Sequence, residues 1–248
     1  MEELAADRTL GASETAERSA RALSLVPRDE LPDAVEALLR GHPSMAPLWR
    51  LADAVLRARD HARAAEGFLA TLGDDLVAAS VLAPALPGTL LTISASATVA
   101  EVVRIRRPRM LVCMASHPGG EGLRMAGVAS AWTETRVVED EEAIRTFPAE
   151  AVVVGADAVT PTAVVNKVGT GRLAEVARSR GIPCYAVAGG AKLVPIEVPV
   201  VSPFEATPLG AFTAVATGAG VLAPATAAEH AARVELHPAL RMLAEGLA

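Results

Sequence analysis

Two hydrophobic periods divide the chain. Over residues 1–85 apolar side chains recur every three or four positions: Ala16, Ala20 and Leu23, then Val35, Leu38 and Leu39, then Leu48, Leu51, Val55 and Leu56. That spacing lines one face of a helix. It predicts helices over 13–25, from about Pro32 to Gly41, from Ser44 as a cap, and over 61–72. Gly73-Asp74-Asp75 interrupts, a further short helix follows, and 84–88 closes the region. From residue 89 the grammar changes to short apolar runs alternating with helical stretches. Strands are predicted over 89–94, 110–115, 136–138, 151–154 and 184–188, with helices near 98–104, 123–132, 139–145 and 173–180. The run 151–154 is uninterrupted Ala-Val-Val-Val, and a strand covered on both faces loses the apolar/polar alternation. The expected fold is therefore α/β: a small helical N-terminal domain (1–85) and a Rossmann-like, mostly parallel sheet domain (86–248) with helices on both faces and right-handed crossovers. Residues 227–247 read as helices broken at Pro238.

In open α/β sheets ligands bind beyond the carboxyl ends of the strands. Behind the predicted strands come Ser94 and Ser96, then the run Ser116-His117-Pro118-Gly119-Gly120-Glu121-Gly122, then Asp157, then Gly189-Gly190-Ala191-Lys192. The glycine pairs permit close backbone approach to a ligand. Nine residues after Asp157, Asn166 and Lys167 set an amide beside an ammonium, followed by Gly169-Thr170-Gly171 and a helical pattern. An acid, an amide, a cation and a glycine-flanked helix start suit a phosphorylated, hydroxyl-rich ligand. Taken alone, Asp157 also reads as the cap of a turn and Asn166-Lys167 as a solvated loop.

Composition narrows the classes. With 51% apolar and 21% charged residues the chain is globular, and its net charge of −6 without a basic run argues against a nucleic-acid surface. No uninterrupted apolar stretch of about 18 residues and no basic-then-apolar N-terminus is present, so a cytoplasmic protein without a membrane partner is expected. Cys113 and Cys184 sit in apolar runs and read as reduced core thiols, and the five histidines show no metal spacing. No metal or cofactor is expected. Only two of the 23 cationic residues are lysines, Lys167 and Lys192, and both fall behind predicted strands. A weakly charged segment, 210–222, is one that a partner copy would cover.

The string Gly155-Ala156-Asp157, eight residues, Asn166-Lys167, one residue, Gly169-Thr170 carries a resemblance, together with Pro183-x-Tyr185-x-Val187-Ala188 and Phe204-Glu205-x-Thr207-Pro208. It resembles the family that joins the alpha, beta and delta subunits of translation initiation factor 2B to isomerases acting on methylthioribose-1-phosphate and ribose-1,5-bisphosphate. In those enzymes a cysteine and an aspartate work as the acid/base pair that moves a proton between C1 and C2 of an opened sugar phosphate. The resemblance implies that role for Asp157, and a homodimer or higher homo-oligomer.

Three departures matter. The family's Thr-His-Cys-Asn reads Thr92-Ile93-Ser94-Ala95, and a serine lacks an ionised form near neutral pH unless a base activates it. The pattern Glu-Ser-Arg-Pro-x-x-Gln-Gly reads Ala115-Ser116-His117-Pro118-x-x-Glu121-Gly122. Glu121 would repel a phosphate, so either this loop no longer touches the ligand or the ligand differs. At two helix starts the family's arginines are replaced, giving Leu10-Gly11-Ala12-Ser13 and His42-Pro43-Ser44-Met45. Backbone N–H groups there, and a protonated His42, remain able to hold an anion. Two functions are thus expected: a factor-2B-like protein that binds a pentose phosphate or nucleoside monophosphate with impaired chemistry, or an aldose–ketose isomerase. Asp157 and Ser94 are its candidate catalytic residues. Gly11, Ala12, Ser13, His42, Ser44, Ser116, His117, Glu121, Asn166 and Lys167 are the candidate ligand contacts.

Overall fold

The computed structural model describes residues 2–7 and 10–247. The chain opens with helices α1 (Glu2–Ala6), α2 (Ala12–Leu23), α3 (Leu31–Gly41), α4 (Ala46–Arg57), α5 (His61–Thr71) and α6 (Asp74–Leu82). The predicted stripes are the buried faces: Ala16, Ala20 and Leu23 of α2 pack on Leu38, Leu48, Trp49, Leu51 and Val55. Each large apolar side chain removed from water in this way contributes about 1.5–3 kcal/mol. Trp49 is fully buried, and its ring N–H donates to Pro43 O at 2.8 Å. Prolines enter the first turns of α3 and α4, where no intrahelical N–H bond is lost. Asp60 caps α5, its carboxylate accepting from the Arg63 N–H at 3.0 Å. Ser44 does not cap α4 as expected; Met45 holds that position. The Ser44 hydroxyl is used elsewhere, donating to Pro199 O at 2.9 Å and accepting from the Val201 N–H at 3.0 Å.

The sheet follows. Strands β1 (Thr89–Thr92), β2 (Met110–Met114) and β3 (Glu134–Val138) alternate with α7 (Ala97–Arg106), α8 (Glu121–Ala129) and α9 (Asp140–Thr146). Next come β4 (Ala151–Val154), a short β5 (Ala158–Val159), β6 (Ala163–Lys167), α10 (Thr170–Ser179), β7 (Cys184–Val187), β8 (Phe204–Pro208), β9 (Ala214–Thr217) and β10 (Gly220–Leu222). Helices α11 (Pro224–Ala232) and α12 (Pro238–Leu247) end the chain. The main sheet runs β10-β9-β7-β4-β1-β2-β3, parallel throughout except for β10 against β9. Its apolar runs divide between two faces. Leu90, Leu111, Cys113, Ala151 and Val153 join one core with α6, α7 and α8, while Leu91, Val112, Met114, Val152 and Val154 join another with α9, α10 and α11. Coverage on both sides is why alternation vanished from these strands. Cys113 and Cys184 are free and buried, and burial pushes both thiols up to about 12.

A second sheet, β5-β6-β8, was not anticipated. It is antiparallel, and Asn166 and Lys167 belong to β6, buried opposite Glu205 and Phe204, where a loop was one of the readings. Ala158 and Val165 of this sheet enter the helical core, as do Leu236, Leu240 and Ala244 from the end of the chain. Segment 210–222 is covered in part: Phe212, Ala214, Val215, Ala216 and Thr217 are buried, while Gly210, Thr213, Gly218, Ala219 and Val221 are exposed. The helical run His61–Ala85 is long and apolar enough to cross a bilayer by length and composition. In this fold Ala78, Ala79 and Leu82 from its second half pack on the sheet instead.

One carboxylate ties the helices to the sheet. Asp75, at the start of α6, accepts from the Ser13 hydroxyl at 2.7 Å and the Gly189 N–H at 2.9 Å, and pairs with Lys192 Nζ at 3.2 Å. A Cβ on Gly189 would sit 2.7 Å from the Asp75 N and Oδ1, so only glycine permits this approach. Burial pushes the Asp75 carboxyl up, but Lys192, Ser13 and Gly189 together outweigh it and hold the group below its ordinary value. Asp75→Ala strands a buried ammonium and a backbone N–H, and should cost about 3–5 kcal/mol in chemical denaturation at neutral pH. A loss within about 1 kcal/mol, the range of an exposed pair, would remove Asp75 from this role.

Candidate functional site

The strand order reverses between β1 and β4: the chain moves outward through β2 to β3, then returns to the other side of β1 and continues to β7 and β9. Adjacent parallel strands whose connections leave in opposite directions open a crevice beyond their carboxyl ends. Ser94 follows β1 and Asp157 follows β4, so the two flank this point. The crevice widens into a pocket of about 760 Å³, whose far wall includes the starts of α2 and α4.

Asp157 is held by its backbone from both sides. Its N–H donates to Val165 O at 2.8 Å, and its carbonyl accepts from the Ala46 N–H of α4 at 2.9 Å. Two residues earlier, a Cβ on Gly155 would collide with Ser96 Oγ, the hydroxyl that caps α7 through the Val99 N–H. Glycine at 155 is therefore required by a neighbouring helix cap. Burial pushes the Asp157 carboxyl up to about 6, with Lys192 pulling weakly the other way. A carboxyl so placed exchanges a proton near neutral pH.

Ser94 and Ser116 both take left-handed backbone conformations, with φ of 65° and 68°. Such non-glycine positions cost about 1–3 kcal/mol each and persist where surrounding bonds enforce them. The bonds are visible: Ser116 Oγ accepts from the Ser94 N–H at 2.7 Å and donates to Met114 O at 2.9 Å. Asp140 accepts from the N–H groups of Ser116 and His117 at 2.7 and 2.9 Å. Ser116 is thus fully buried beneath Ser94, outside the pocket lining. His117 also lies outside it, on the surface, with Nε2 3.1 Å from Glu139 Oε2.

The remaining candidates line the pocket. Lys167 is 3% exposed, and its ammonium pairs with Glu121 Oε1 at 2.7 Å. Asn166 donates to Thr170 Oγ1 at 3.0 Å, and that hydroxyl donates to Lys167 O at 2.6 Å, locking the β6–α10 turn. Gly11, Ala12 and Ser13 face the pocket at the start of α2, which has no side-chain cap. His42 is buried, its Nε2–H donating to Leu4 O at 2.6 Å, and Ser44 is engaged with residues 199 and 201. These two hold the pocket wall through backbone partners. Sequence reasoning put Ser96 and Lys192 at the ligand edge without choosing either as a contact, and it overlooked Arg124 and Trp132; all four line the pocket. Arg124 was findable, being about one helical turn beyond Glu121 on α8. Lys192 donates to Thr98 Oγ1 at 2.7 Å in addition to its pair with Asp75. Among the described residues the lining sets Asp7, Glu14, Glu101, Glu121 and Asp157 against Arg124, Lys167 and Lys192.

A family model, the initiation factor 2 subunit family, matches residues 78–224. Among solved structures, the chain is similar to the translation initiation factor eIF-2B of Pyrococcus horikoshii OT3, with 27% identity and a TM-score of 0.81 over 90% of this chain and 94% of that one. It shares a fold with the tetrameric eIF2B-beta2-delta2 complex of C. thermophilum, at 17% identity and a TM-score of 0.71 over 92% and 90% of the two chains. It also shares a fold with 5-methylthioribose 1-phosphate isomerase of Pyrococcus horikoshii OT3, at 20% identity and a TM-score of 0.67 over 94% and 88%. No curated protein matches.

The raised carboxyl of Asp157 makes a prediction about stability. Its folded value, about 6, lies above its ordinary 3.8, so the folded state binds the extra proton and loses stability as pH rises between those values. Asp157→Asn cannot lose that proton. Relative to wild type, the variant should gain about 1–2 kcal/mol between pH 4.5 and 7.5, read by urea denaturation at both values. Parallel pH profiles for the two proteins would show that Asp157 is ordinarily solvated.

Proposed function

This chain belongs to the initiation factor 2 subunit family, and we propose that it binds a phosphorylated, hydroxyl-rich metabolite, a pentose phosphate or nucleoside monophosphate, with impaired proton-transfer chemistry. The observation that carries this reading is that Ser94 and Asp157, at the ends of β1 and β4, line the same pocket. Proton transfer between adjacent carbons of an opened sugar needs two groups that exchange protons near pH 7. Asp157 supplies one. Ser94 offers a hydroxyl to which no base is hydrogen-bonded among the described residues, so it suits holding a substrate hydroxyl and not abstracting a proton. Asn166, Lys167 and the start of α2 supply polar contacts to the remainder of the ligand, in a cavity of about 760 Å³ that a compact phosphorylated metabolite fits.

A second reading, an aldose–ketose isomerase, has the raised Asp157 carboxyl in its favour, because a general acid/base works best near the ambient pH. Proton NMR of ribose-1,5-bisphosphate and methylthioribose-1-phosphate in deuterated buffer separates the two, with wild type, Asp157→Asn and Ser94→Cys as samples. We expect neither product nor exchange from wild type or Ser94→Cys, alongside a raised melting temperature with ribose 5-phosphate or AMP through mass action. Turnover by wild type that disappears in Asp157→Asn would move the protein to the isomerase side. No thermal response to any phosphorylated ligand would end the binding reading.

Self-association belongs to the same proposal. Support comes from the tetrameric complex among the similar structures. Segment 210–222 adds little, because its apolar side chains Phe212, Ala214, Val215 and Ala216 are buried within the chain and Val221 is the exposed one among its large apolar residues. Sedimentation equilibrium should return a dimer or larger species; a strict monomer across micromolar concentrations would contradict it.

A further inference from the structure

We infer that Glu121 makes this pocket selective for ligands whose end facing Lys167 is uncharged, so that a sugar monophosphate is accepted and a sugar bisphosphate is refused. The inference rests on the reading above, that the pocket takes phosphorylated sugars. Lys167 would otherwise be the natural partner of an anionic group, being a buried ammonium in the lining. Its ammonium is already neutralised by Glu121 Oε1 at 2.7 Å. The other carboxylate oxygen, Glu121 Oε2, is buried without a hydrogen-bond partner. Pulling Glu121 away from Lys167 would therefore leave a largely buried carboxylate with no compensation at either oxygen, an arrangement proteins avoid. The carboxylate stays, and a phosphate directed at Lys167 meets a negative charge first.

Lys192 offers no escape. It is 4% exposed, and its ammonium is shared between Asp75 and Thr98. Both lysines are thus charge-balanced by the protein's own carboxylates before a ligand arrives. A single phosphate still finds the backbone N–H groups at the uncapped start of α2, away from Glu121 in the lining. A second one, directed at Lys167, meets an ammonium that Glu121 already matches. Sugar hydroxyls face no such conflict there, because a carboxylate accepts from O–H groups.

Calorimetric titration of ribose 5-phosphate and ribose 1,5-bisphosphate into wild type and Glu121→Gln tests this. Glutamine keeps the size of the side chain and removes the charge. Wild type should prefer the monophosphate at least tenfold. Glu121→Gln releases Lys167 and should raise affinity for the bisphosphate by about 10- to 100-fold, the range of one charge-assisted hydrogen bond, with a smaller change for the monophosphate. The ratio is read within one preparation, and any loss of folded protein lowers the apparent stoichiometry for both compounds alike without changing either affinity. Wild type binding the bisphosphate as tightly as the monophosphate overturns the inference and leaves the binding reading standing, as does an unchanged ratio in Glu121→Gln. If neither compound binds either protein, the failure is that of the binding reading itself.

Discussion

A buried ammonium group obliges a fold to bring a carboxylate to it, and this chain buries both of its lysines. The partners come from far along the chain: Asp75 at the start of α6 for Lys192, and Glu121 at the start of α8 for Lys167. Such pairs add little net stability, since desolvation offsets most of the attraction, yet breaking one leaves an uncompensated charge. Their effect is to specify position. Asp75 fixes the starts of α2 and α6 on the turn after β7, and Glu121 fixes the start of α8 over the end of β6. Both pairs reach the same pocket, so the arrangement that locates the helices also sets the charge a ligand encounters.

The sequence was most legible where burial is symmetrical. Ala151–Val154 announces itself because both faces of β4 are covered, and the apolar stripes of α2 and α4 do so because only one face is. It was least legible where a strand carries polar residues inward. Asn166 and Lys167 look like loop residues by type, and only the antiparallel pairing of β6 with β8, together with Thr170 and Glu121, makes their burial tolerable. The crevice itself could be expected only as an edge. Strand order fixes which two strand ends face each other, and pairing between distant segments has no local signature.

The side chains around that edge show the same limit. Polarity brought Ser116, His42 and Ser44 to notice, but polar type does not say which partner a group will take. Ser116 turned inward to hold the Ser94 backbone, and His42 and Ser44 bonded to backbone groups of other segments. Each satisfies a buried polar group that would otherwise be left unpaired, and that demand competes with ligand binding for the same atoms. The positions that remain costly are informative for the opposite reason. Left-handed Ser94 and Ser116 and the raised Asp157 carboxyl are concentrated at the ends of β1, β2 and β4, where a fold selected for stability alone would use glycine and an amide.

Charge balance then governs what chemistry the crevice supports. A thiol in place of the Ser94 hydroxyl would stand across from Asp157, in a lining where carboxylates outnumber cations among the described residues. Nearby negative charge disfavours a thiolate, and burial does the same. The group that makes a cysteine useful would therefore be suppressed by burial and by the charge of Asp157. Serine at 94 and glutamate at 121 are consistent with one another on these grounds. With Lys167 paired to Glu121 and Lys192 paired to Asp75, neither lysine ammonium is left to stabilise a developing oxyanion or a thiolate without giving up its carboxylate, and a hydroxyl loses little by the exchange. Restoring proton transfer would require changing the electrostatics of the lining before changing the nucleophile.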